Sequence, residues 1–188
     1  MSDIVIRRVT PDDGPAVKAV RLRALAADPT SFASTFEREA AYGDAEWVEW
    51  ASADAAGDET TTLLARRDDE PVGIDAAYRN ERDPGLFHVV AMWVAPEARG
   101  RGVGRFLLET LEAWIADCGG TTAELMVAES SLPARRLYES AGYRPDGATK
   151  MSELVAGLTH IGMRKPVAEG DHGGEVPLGE LPSRERRR

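Results

Sequence analysis

The chain has 188 residues, of which 43% are hydrophobic and 29% are charged, and its formal net charge at pH 7 is −9. This length predicts one domain with a sizeable core. The acidic balance argues against nucleic acid as a partner, because phosphate binding usually needs a basic surface. No apolar run reaches the roughly 18 residues that cross a bilayer, so we expect no membrane partner.

The N-terminus and the cysteine content predict a compartment. The first residues lack the basic region and apolar stretch of a secretory signal. The single cysteine, Cys118, excludes an intramolecular disulfide and is typical of a reducing environment. We therefore expect a cytoplasmic protein.

The first half of the chain alternates between strand and helix signals. After a strand at 4–9, Thr10 followed by Pro11 predicts a helix start, and Asp28-Pro29 ends this helix. Asp44 predicts the cap of another short helix. The remaining strands predicted in this half are separated by polar turns and cover residues 60–67, 71–78 and 86–94.

The second half begins with the clearest helix in the chain. Apolar residues recur at helical spacing from Val103 until Gly119-Gly120, which ends the helix. A strand at 124–128, a helix at 133–141 and a strand at 158–164 follow, so the order predicts a mixed α/β sheet with helices on both faces. Composition divides the chain into a domain of residues 1–166 and a disordered polar tail of residues 167–188.

A glycine-rich segment, Arg99-Gly100-Arg101-Gly102-Val103-Gly104, joins the strand at 86–94 to this helix. The first N–H groups of a helix have no partner within it, and the helix dipole favours an anion there. Glycines let the main chain approach a ligand closely, and Arg99, Arg101 and Arg105 would add charged donors. The segment therefore predicts a cradle for a phosphate or diphosphate.

The spacing of the glycines indicates which class of phosphate-bearing ligand the loop could bind. A dinucleotide loop needs a third glycine where this chain has Arg105, and a nucleoside triphosphate loop needs a Lys-Ser or Lys-Thr pair that is missing here. The segment does fit the pattern R-x-x-G-x-G, in which the fixed positions are Arg99, Gly102 and Gly104. Val94 and Pro96 precede this pattern. This pattern resembles the acyl-coenzyme A loop of the GNAT superfamily of N-acetyltransferases.

A second pattern about 30 residues further on also resembles this family. Members of the family share an Asn, an Ala, a Leu-Tyr pair and a Gly-Phe or Gly-Tyr pair at fixed spacing. This chain has Leu137-Tyr138 and Gly142-Tyr143 at the corresponding positions. Ser131 stands where the family often has Asn, and its hydroxyl offers fewer donors. The resemblance covers roughly residues 3 to 166.

The resemblance implies a mixed, largely antiparallel central sheet, flanked by helices and splayed between its fourth and fifth strands. It implies acetyl-coenzyme A (acetyl-CoA) as co-substrate, without a metal, and direct transfer of the acetyl group to a primary amine. The residues expected to bind acetyl-CoA are Trp93, Val94, Arg99, Gly100, Arg101, Gly102, Val103, Gly104, Arg105, Ser131 and Arg135.

Three chemical tasks follow from that reaction. The family commonly places a tyrosine near the thioester sulfur, so we expect Tyr138 to donate a proton to the leaving thiolate. The backbone N–H of Val94 is the candidate donor to the thioester carbonyl, because the family bulges its fourth strand there. Histidine ordinarily titrates near neutral pH, which suits a base, so His88 is one candidate for this role. Glu129 is an alternative candidate, and water alone is a third possibility.

The acceptor is expected to contact residues 28–50 and Tyr78, where aromatic and acidic side chains could bind a cation. The acidic net charge favours such an acceptor, either a small-molecule or a peptide amine, and a homodimer is possible. The aromatic residues, Phe32, Phe36, Trp47 and Trp50, could instead belong to the core. Two other functions stay open: a non-catalytic acyl-CoA sensor on the same fold, and a nucleotide-binding regulator.

Overall fold

The computed structural model describes residues 4–167 and 179–180. Its helices are α1 (Gly14–Ala27), α2 (Phe36–Ala40), α3 (Asp44–Asp54), α4 (Val103–Asp117) and α5 (Leu132–Ser140). Its strands are β1 (Ile4–Arg8), β2 (Thr60–Arg67), β3 (Glu70–Arg79), β4 (Leu86–Val94), β5 (Thr122–Ala128), β6 (Arg144–Met151), β7 (Thr159–Pro166) and β8 (Gly179–Glu180).

The strands form one sheet in the order β6-β7-β5-β4-β3-β2-β1-β8. Neighbouring strands are antiparallel except β4 and β5, which are parallel. This parallel pairing extends from Leu86 opposite Thr122 only to His88 opposite Glu124. Because β4 continues to Val94 and β5 to Ala128 without further pairing, the two strands diverge. The predicted fold class, including the splay between the fourth and fifth strands, is confirmed.

The longer helices flank the sheet because they bury apolar side chains against it. The α1 and α3 helices pack on β3 and β2, and α4 packs on the same two strands. The core lies between the helices and the sheet, and it includes Leu25, Leu64, Ile74, Leu107 and Leu111, all of them 0% exposed.

The helix starts differ in detail from those predicted. Pro11–Asp13 form a 3-10 turn, and Thr10 and Asp13 form a capping box ahead of α1. The prediction that Asp44 caps a helix was wrong, because α3 begins at Asp44 and Gly43 is its cap. With Asp44 inside the first turn, its carboxylate lies where the helix dipole favours negative charge.

The aromatic residues predicted for the acceptor region divide between core and surface. Trp47 and Phe32 are buried, at 1% and 7% exposure, whereas Phe36 is 40% exposed. Trp50 is partly buried and stacks on Trp47 at 5.7 Å between ring centroids. Core packing therefore accounts for most of these side chains.

All residues of β6 are exposed, and the periodicity of the sequence did not predict this strand. Most of the predicted tail lies outside the described residues, and its disorder stays a prediction. Among residues 4–167 and 179–180, no helix is both long and apolar enough to span a membrane.

Candidate active site

A cavity of about 490 Å³ fills the gap where β4 and β5 diverge. The glycine loop and the start of α4 form one wall, and β5 and α5 form the opposite wall. Nine of the residues predicted to bind acetyl-CoA line it: Trp93, Val94, Arg99, Gly100, Gly102, Val103, Gly104, Arg105 and Ser131. Arg101 and Arg135 are not among the residues that line this cavity.

The glycine loop presents main-chain donors to this cavity. Gly100 and Gly102 have φ angles of +73° and +85°, a region that favours glycine. The first backbone bond of α4 joins the Phe106 N–H to the Gly102 carbonyl at 3.0 Å. The N–H groups of the three residues between them therefore have no acceptor within the helix. This arrangement fits a diphosphate, because the donors and the positive end of the helix dipole coincide.

Two of the three arginine side chains near the loop, those of Arg99 and Arg105, have protein partners. Arg99 donates to the Val94 carbonyl at 2.8 Å and to Asp28 at 2.6 Å. Arg105 donates to Glu109 at 2.7 Å, and Arg101 is exposed. The main chain of the loop is therefore better placed than the guanidinium groups to bind an anion.

The fourth strand contains a β-bulge, but earlier than the position expected at Val94. Between the pairs Ile74–Trp93 and Ala76–Val90 the register shifts by one residue, so Ala91 and Met92 lie opposite Asp75. Ala91 has a φ of +60°, a conformation that costs a non-glycine residue about 1–2 kcal/mol.

The bulge leaves the Val94 N–H directed into the gap. The Ala95 N–H donates to the Val72 carbonyl at 2.8 Å, and Val94 is paired with Gly73. Bonded and non-bonded pairs alternate along an antiparallel ladder, so the Val94 N–H points away from β3. Since β5 has diverged at this point, a substrate carbonyl could accept this hydrogen bond.

Tyr138 of α5 lines the cavity and is 7% exposed. Burial, and next the negative charge of Asp75, raise the pKa of its phenol above the ordinary value. The phenol is therefore protonated at neutral pH, as a proton donor must be. Its ring packs edge-on against Tyr143, with 5.8 Å between centroids.

Ser131 and Glu129 lie near the start of α5 in different environments. Ser131 precedes the helix and lines the cavity. Glu129 is exposed and is not among the lining residues. Its carbonyl accepts from Arg135 at 3.3 Å, which directs that guanidinium along the surface of α5.

His88 lies at the closed end of the gap, six residues before Val94, which is roughly 20 Å along an extended strand. Asn80 accepts the N–H groups of Arg82 and Asp83 through Oδ1, so its amide Nδ2 donates to His88 Nε2 at 2.9 Å. His88 Nδ1 then carries the proton and faces Glu124 at 3.3 Å. Both ring nitrogens have partners, and His88 is not among the residues that line the cavity.

The far end of the cavity contains residues that sequence analysis did not assign individually. Asp28 Oδ2 accepts from Trp93 Nε1 at 2.7 Å as well as from Arg99. Ser31 lines the cavity beside Asp28, and Met92 and Met126 form an apolar part of its lining. Asp28-Pro29 gave a signal for the end of a helix, but nothing in the sequence places these residues beside β4 and β5.

The sheet opens between two parallel strands, and a glycine-rich helix start lies at the opening. This arrangement suits a ligand that bears a diphosphate. Among the described residues, no group of three or more His, Cys, Asp or Glu side chains could hold a metal ion. Residues 21–143 match the model of the Acetyltransferase (GNAT) family, and the chain belongs to this family.

Individual relatives agree with this assignment. Over 65 residues the chain is 42% identical to an uncharacterized N-acetyltransferase of Methanocaldococcus jannaschii, and the match spans 33% of this chain and 40% of that protein. An acetyltransferase of the GNAT family from Streptococcus pneumoniae has a TM-score of 0.75 at 20% identity, with 88% of this chain and 99% of that chain covered. The protein yncA of Salmonella typhimurium, solved with its cofactor acetyl-CoA, has a TM-score of 0.74 at 17% identity, with 92% and 99% covered. The two structural likenesses show the fold.

Proposed function

We propose that this protein transfers an acetyl group from acetyl-CoA directly to a primary amine. One observation carries the proposal: the free N–H groups at the start of α4 and the buried phenol of Tyr138 line the same cavity. A ligand with a diphosphate at one end and a thioester at the other would contact both. Family membership supports this choice over a nucleotide-binding regulator.

The cavity walls suit the two parts of acetyl-CoA. The N–H groups of residues 103–105 would hold the diphosphate, and the apolar side chains of Val94, Val127 and Leu137 would line the path of the pantetheine arm. Ser131 offers a hydroxyl to the amides of that arm. Bound acetyl-CoA would supply an activated thioester carbonyl.

The residues that line the gap have separate roles in the reaction. The Val94 N–H stabilises the negative charge that develops on the carbonyl oxygen when the amine attacks. Tyr138 donates its proton to the sulfur as the carbon–sulfur bond breaks. Holding both substrates in one gap supplies a further part of the rate.

The amine must lose a proton before it attacks, because a lysine-like amine has a pKa near 10.4. His88 and Glu129 are the side chains predicted for this role, and neither lines the cavity. Water in the open gap is the third route, and it would connect the amine to either side chain or to solvent.

The acceptor amine would enter at the end bordered by Asp28 and Ser31. The carboxylate of Asp28 and the net charge of −9 favour a cationic amine, either a small molecule or a peptide. Residues 28–50 and Tyr78 are the proposed region of acceptor selectivity, and a homodimer stays a prediction.

Thiol release across a panel of primary amines tests the proposal, and calorimetric titration with acetyl-CoA, ATP and NAD tests the ligand. We expect acetyl-CoA to bind most tightly and at least one amine to release thiol. Tyr138→Phe should keep acetyl-CoA binding and lose about 100-fold in kcat. Tighter binding of ATP or NAD would contradict the proposal.

The position of both predicted bases outside the cavity favours one alternative, a non-catalytic acyl-CoA sensor. A sensor would bind acetyl-CoA as tightly as an enzyme, but it would release no thiol with any amine, either as the wild type or as Tyr138→Phe.

A further inference from the structure

A single carboxylate oxygen accepts hydrogen bonds from two side chains beside the gap. Asp28 Oδ2 lies 2.7 Å from Trp93 Nε1 and 2.6 Å from Arg99 Nη2. The main chain of Asp28 is itself fixed, because its N–H donates to the Ala24 carbonyl at 2.9 Å and its carbonyl accepts from Ser31 at 3.0 Å. The carboxylate therefore joins the end of α1 to the end of β4 and to the glycine loop.

Both donors act on the peptide group that carries the Val94 N–H. This N–H belongs to the peptide bond that follows Trp93, so the Trp93 side chain is attached directly before it. On the other side, Arg99 Nε donates to the Val94 carbonyl at 2.8 Å. The N–H and the carbonyl of a strand residue point to the same side. The hydrogen bond from Arg99 therefore holds Val94 with its N–H directed away from β3 and toward the gap.

The segment that these contacts hold is strained. Ala91, two residues before Trp93, has a φ of +60°, and such a conformation persists only where the surrounding structure maintains it. Trp93 is 4% exposed, and its ring centroid lies 5.7 Å from the guanidinium carbon of Arg23 and 6.0 Å from that of Arg99. Hydrogen bonds to a charged acceptor are stronger than neutral ones. Asp28 therefore opposes relaxation of the bulge at its exit into the gap.

We propose that Asp28 is a positioning residue, which holds the Val94 N–H in place through Trp93 and Arg99. This inference rests on the proposed function, in which that N–H stabilises the charge on the thioester oxygen. Such a donor is effective because it is fixed before the charge develops. A misplacement of about 1 Å can cost about 100-fold in rate. In this role Asp28 acts through its two donors and touches neither substrate.

Asp28→Ala removes both hydrogen bonds and is the first test. We expect kcat to fall about 10- to 100-fold. The Kd for acetyl-CoA should change less than about threefold, because the N–H groups at the start of α4 stay in place. An unchanged kcat would overturn the proposal. So would a loss confined to KM for the amine, because that result assigns to Asp28 only the attraction of a cationic acceptor.

Asp28→Asn separates the hydrogen bonds from the charge. The amide oxygen accepts from Trp93 and Arg99 as the carboxylate oxygen does, but the side chain no longer attracts a cation. A positioning role predicts that Asp28→Asn recovers most of the kcat that Asp28→Ala loses. An Asp28→Asn enzyme as slow as Asp28→Ala would contradict the inference.

A double-mutant cycle tests whether Asp28 acts through Arg99. Arg99→Met keeps much of the side-chain stem and removes the donors. Residues that act through one another give losses that do not add as free energies. The double variant should therefore lose no more than about threefold in kcat beyond Asp28→Ala. Two losses that multiply would contradict the inference.

Asp54→Ala is the matched control, because it removes another hydrogen bond between a carboxylate and an indole. Asp54 accepts from Trp50 Nε1 at 3.0 Å and also from the hydroxyls of Thr60 and Thr62. It is not among the residues that line the cavity. Asp54→Ala should lower stability in urea denaturation and leave kcat unchanged. Equal losses of kcat in the two alanine variants would reduce the effect to general destabilisation and overturn the proposal.

A spectroscopic readout does not depend on activity. In proton–nitrogen correlation spectra, the Trp93 indole signal is assigned by its absence in Trp93→Phe. This signal should move upfield in Asp28→Ala, because its charged acceptor is lost, and the backbone amide signal of Val94 should shift with it. The Trp50 indole signal should stay in place. A Val94 amide signal that does not move would contradict the inference.

The failure of the inference and the failure of the proposed function give different results. A wild-type protein that releases no thiol with any amine overturns the proposed function, and the catalytic part of the inference with it. An active wild type, together with an Asp28→Ala enzyme of equal kcat, overturns the inference alone.

Discussion

The buried ion pair between Arg21 of α1 and Glu39 of α2 allows a quantitative test of how the acceptor region is held. Arg21 donates through Nη2 to Oε1 at 2.8 Å and through Nε to Oε2 at 2.9 Å. The two side chains are only 8% and 5% exposed, and the guanidinium lies over the ring of Phe32, with 4.7 Å to its centroid. Glu39→Gln would leave the Arg21 charge buried without its counter-charge.

Removing one partner of a buried pair costs about 3–5 kcal/mol, which is a large fraction of the roughly 5–15 kcal/mol that stabilises a typical domain. We expect Glu39→Gln to lose about 3–5 kcal/mol of unfolding free energy in urea denaturation at pH 7. The double variant Arg21→Met with Glu39→Leu should recover most of this loss, because apolar residues can replace a buried pair with little cost.

Glu109→Gln is the matched control, because the Arg105–Glu109 pair is 55% and 52% exposed. Removing an exposed pair should change stability by no more than about 1 kcal/mol. In the sequence, Arg21 and Glu39 lie on either side of Asp28 and Ser31, which line the cavity at the end proposed for the acceptor. Glu39→Gln should therefore raise KM for the amine more than KM for acetyl-CoA. A stability loss in Glu39→Gln no larger than that of the control would refute the reasoning.

Two further predictions concern the loop and acid stability. Gly104→Glu should abolish acetyl-CoA binding, measured by calorimetry, while circular dichroism shows that the fold is kept. A Cβ atom at this position lies 3.2 Å from Leu137 Cδ2, and the carboxylate would repel the diphosphate. Retained affinity would count against the site. Hydrogen bonds from Arg7 hold the pKa of Asp13 well below its ordinary value. The ionised Asp13 carboxylate therefore stabilises the folded state above pH 4, and this stabilisation is lost as the pH falls through the folded pKa. Asp13→Asn should therefore cost about 1–3 kcal/mol in urea denaturation at pH 7 and less at pH 2, and an equal loss at both pH values would contradict this.

Features that neighbouring residues determine were predictable from the sequence. The bounds of β4 follow from its apolar run between polar turns, and Gly102 marks the start of α4 because its left-handed φ of +85° suits glycine. The glycine loop is local in this sense, since the residues that shape it are consecutive. Its position at the gap between β4 and β5 came from the family resemblance, because periodicity carries no information about where a sheet splays.

Features that depend on tertiary contacts were not predictable in the same way. Ala91 adopts a left-handed conformation without the glycine that would signal it, and β6 is exposed on both faces, so it has no apolar alternation. Asp28 and Asp75 read as ordinary acidic residues in the sequence, yet one lines the cavity and the other is fully buried. The fold determines the surroundings of both, because tertiary packing decides how far a side chain is buried and which groups it contacts. The sequence alone therefore predicts a local element such as the glycine loop better than it predicts which side chains the fold brings into the gap.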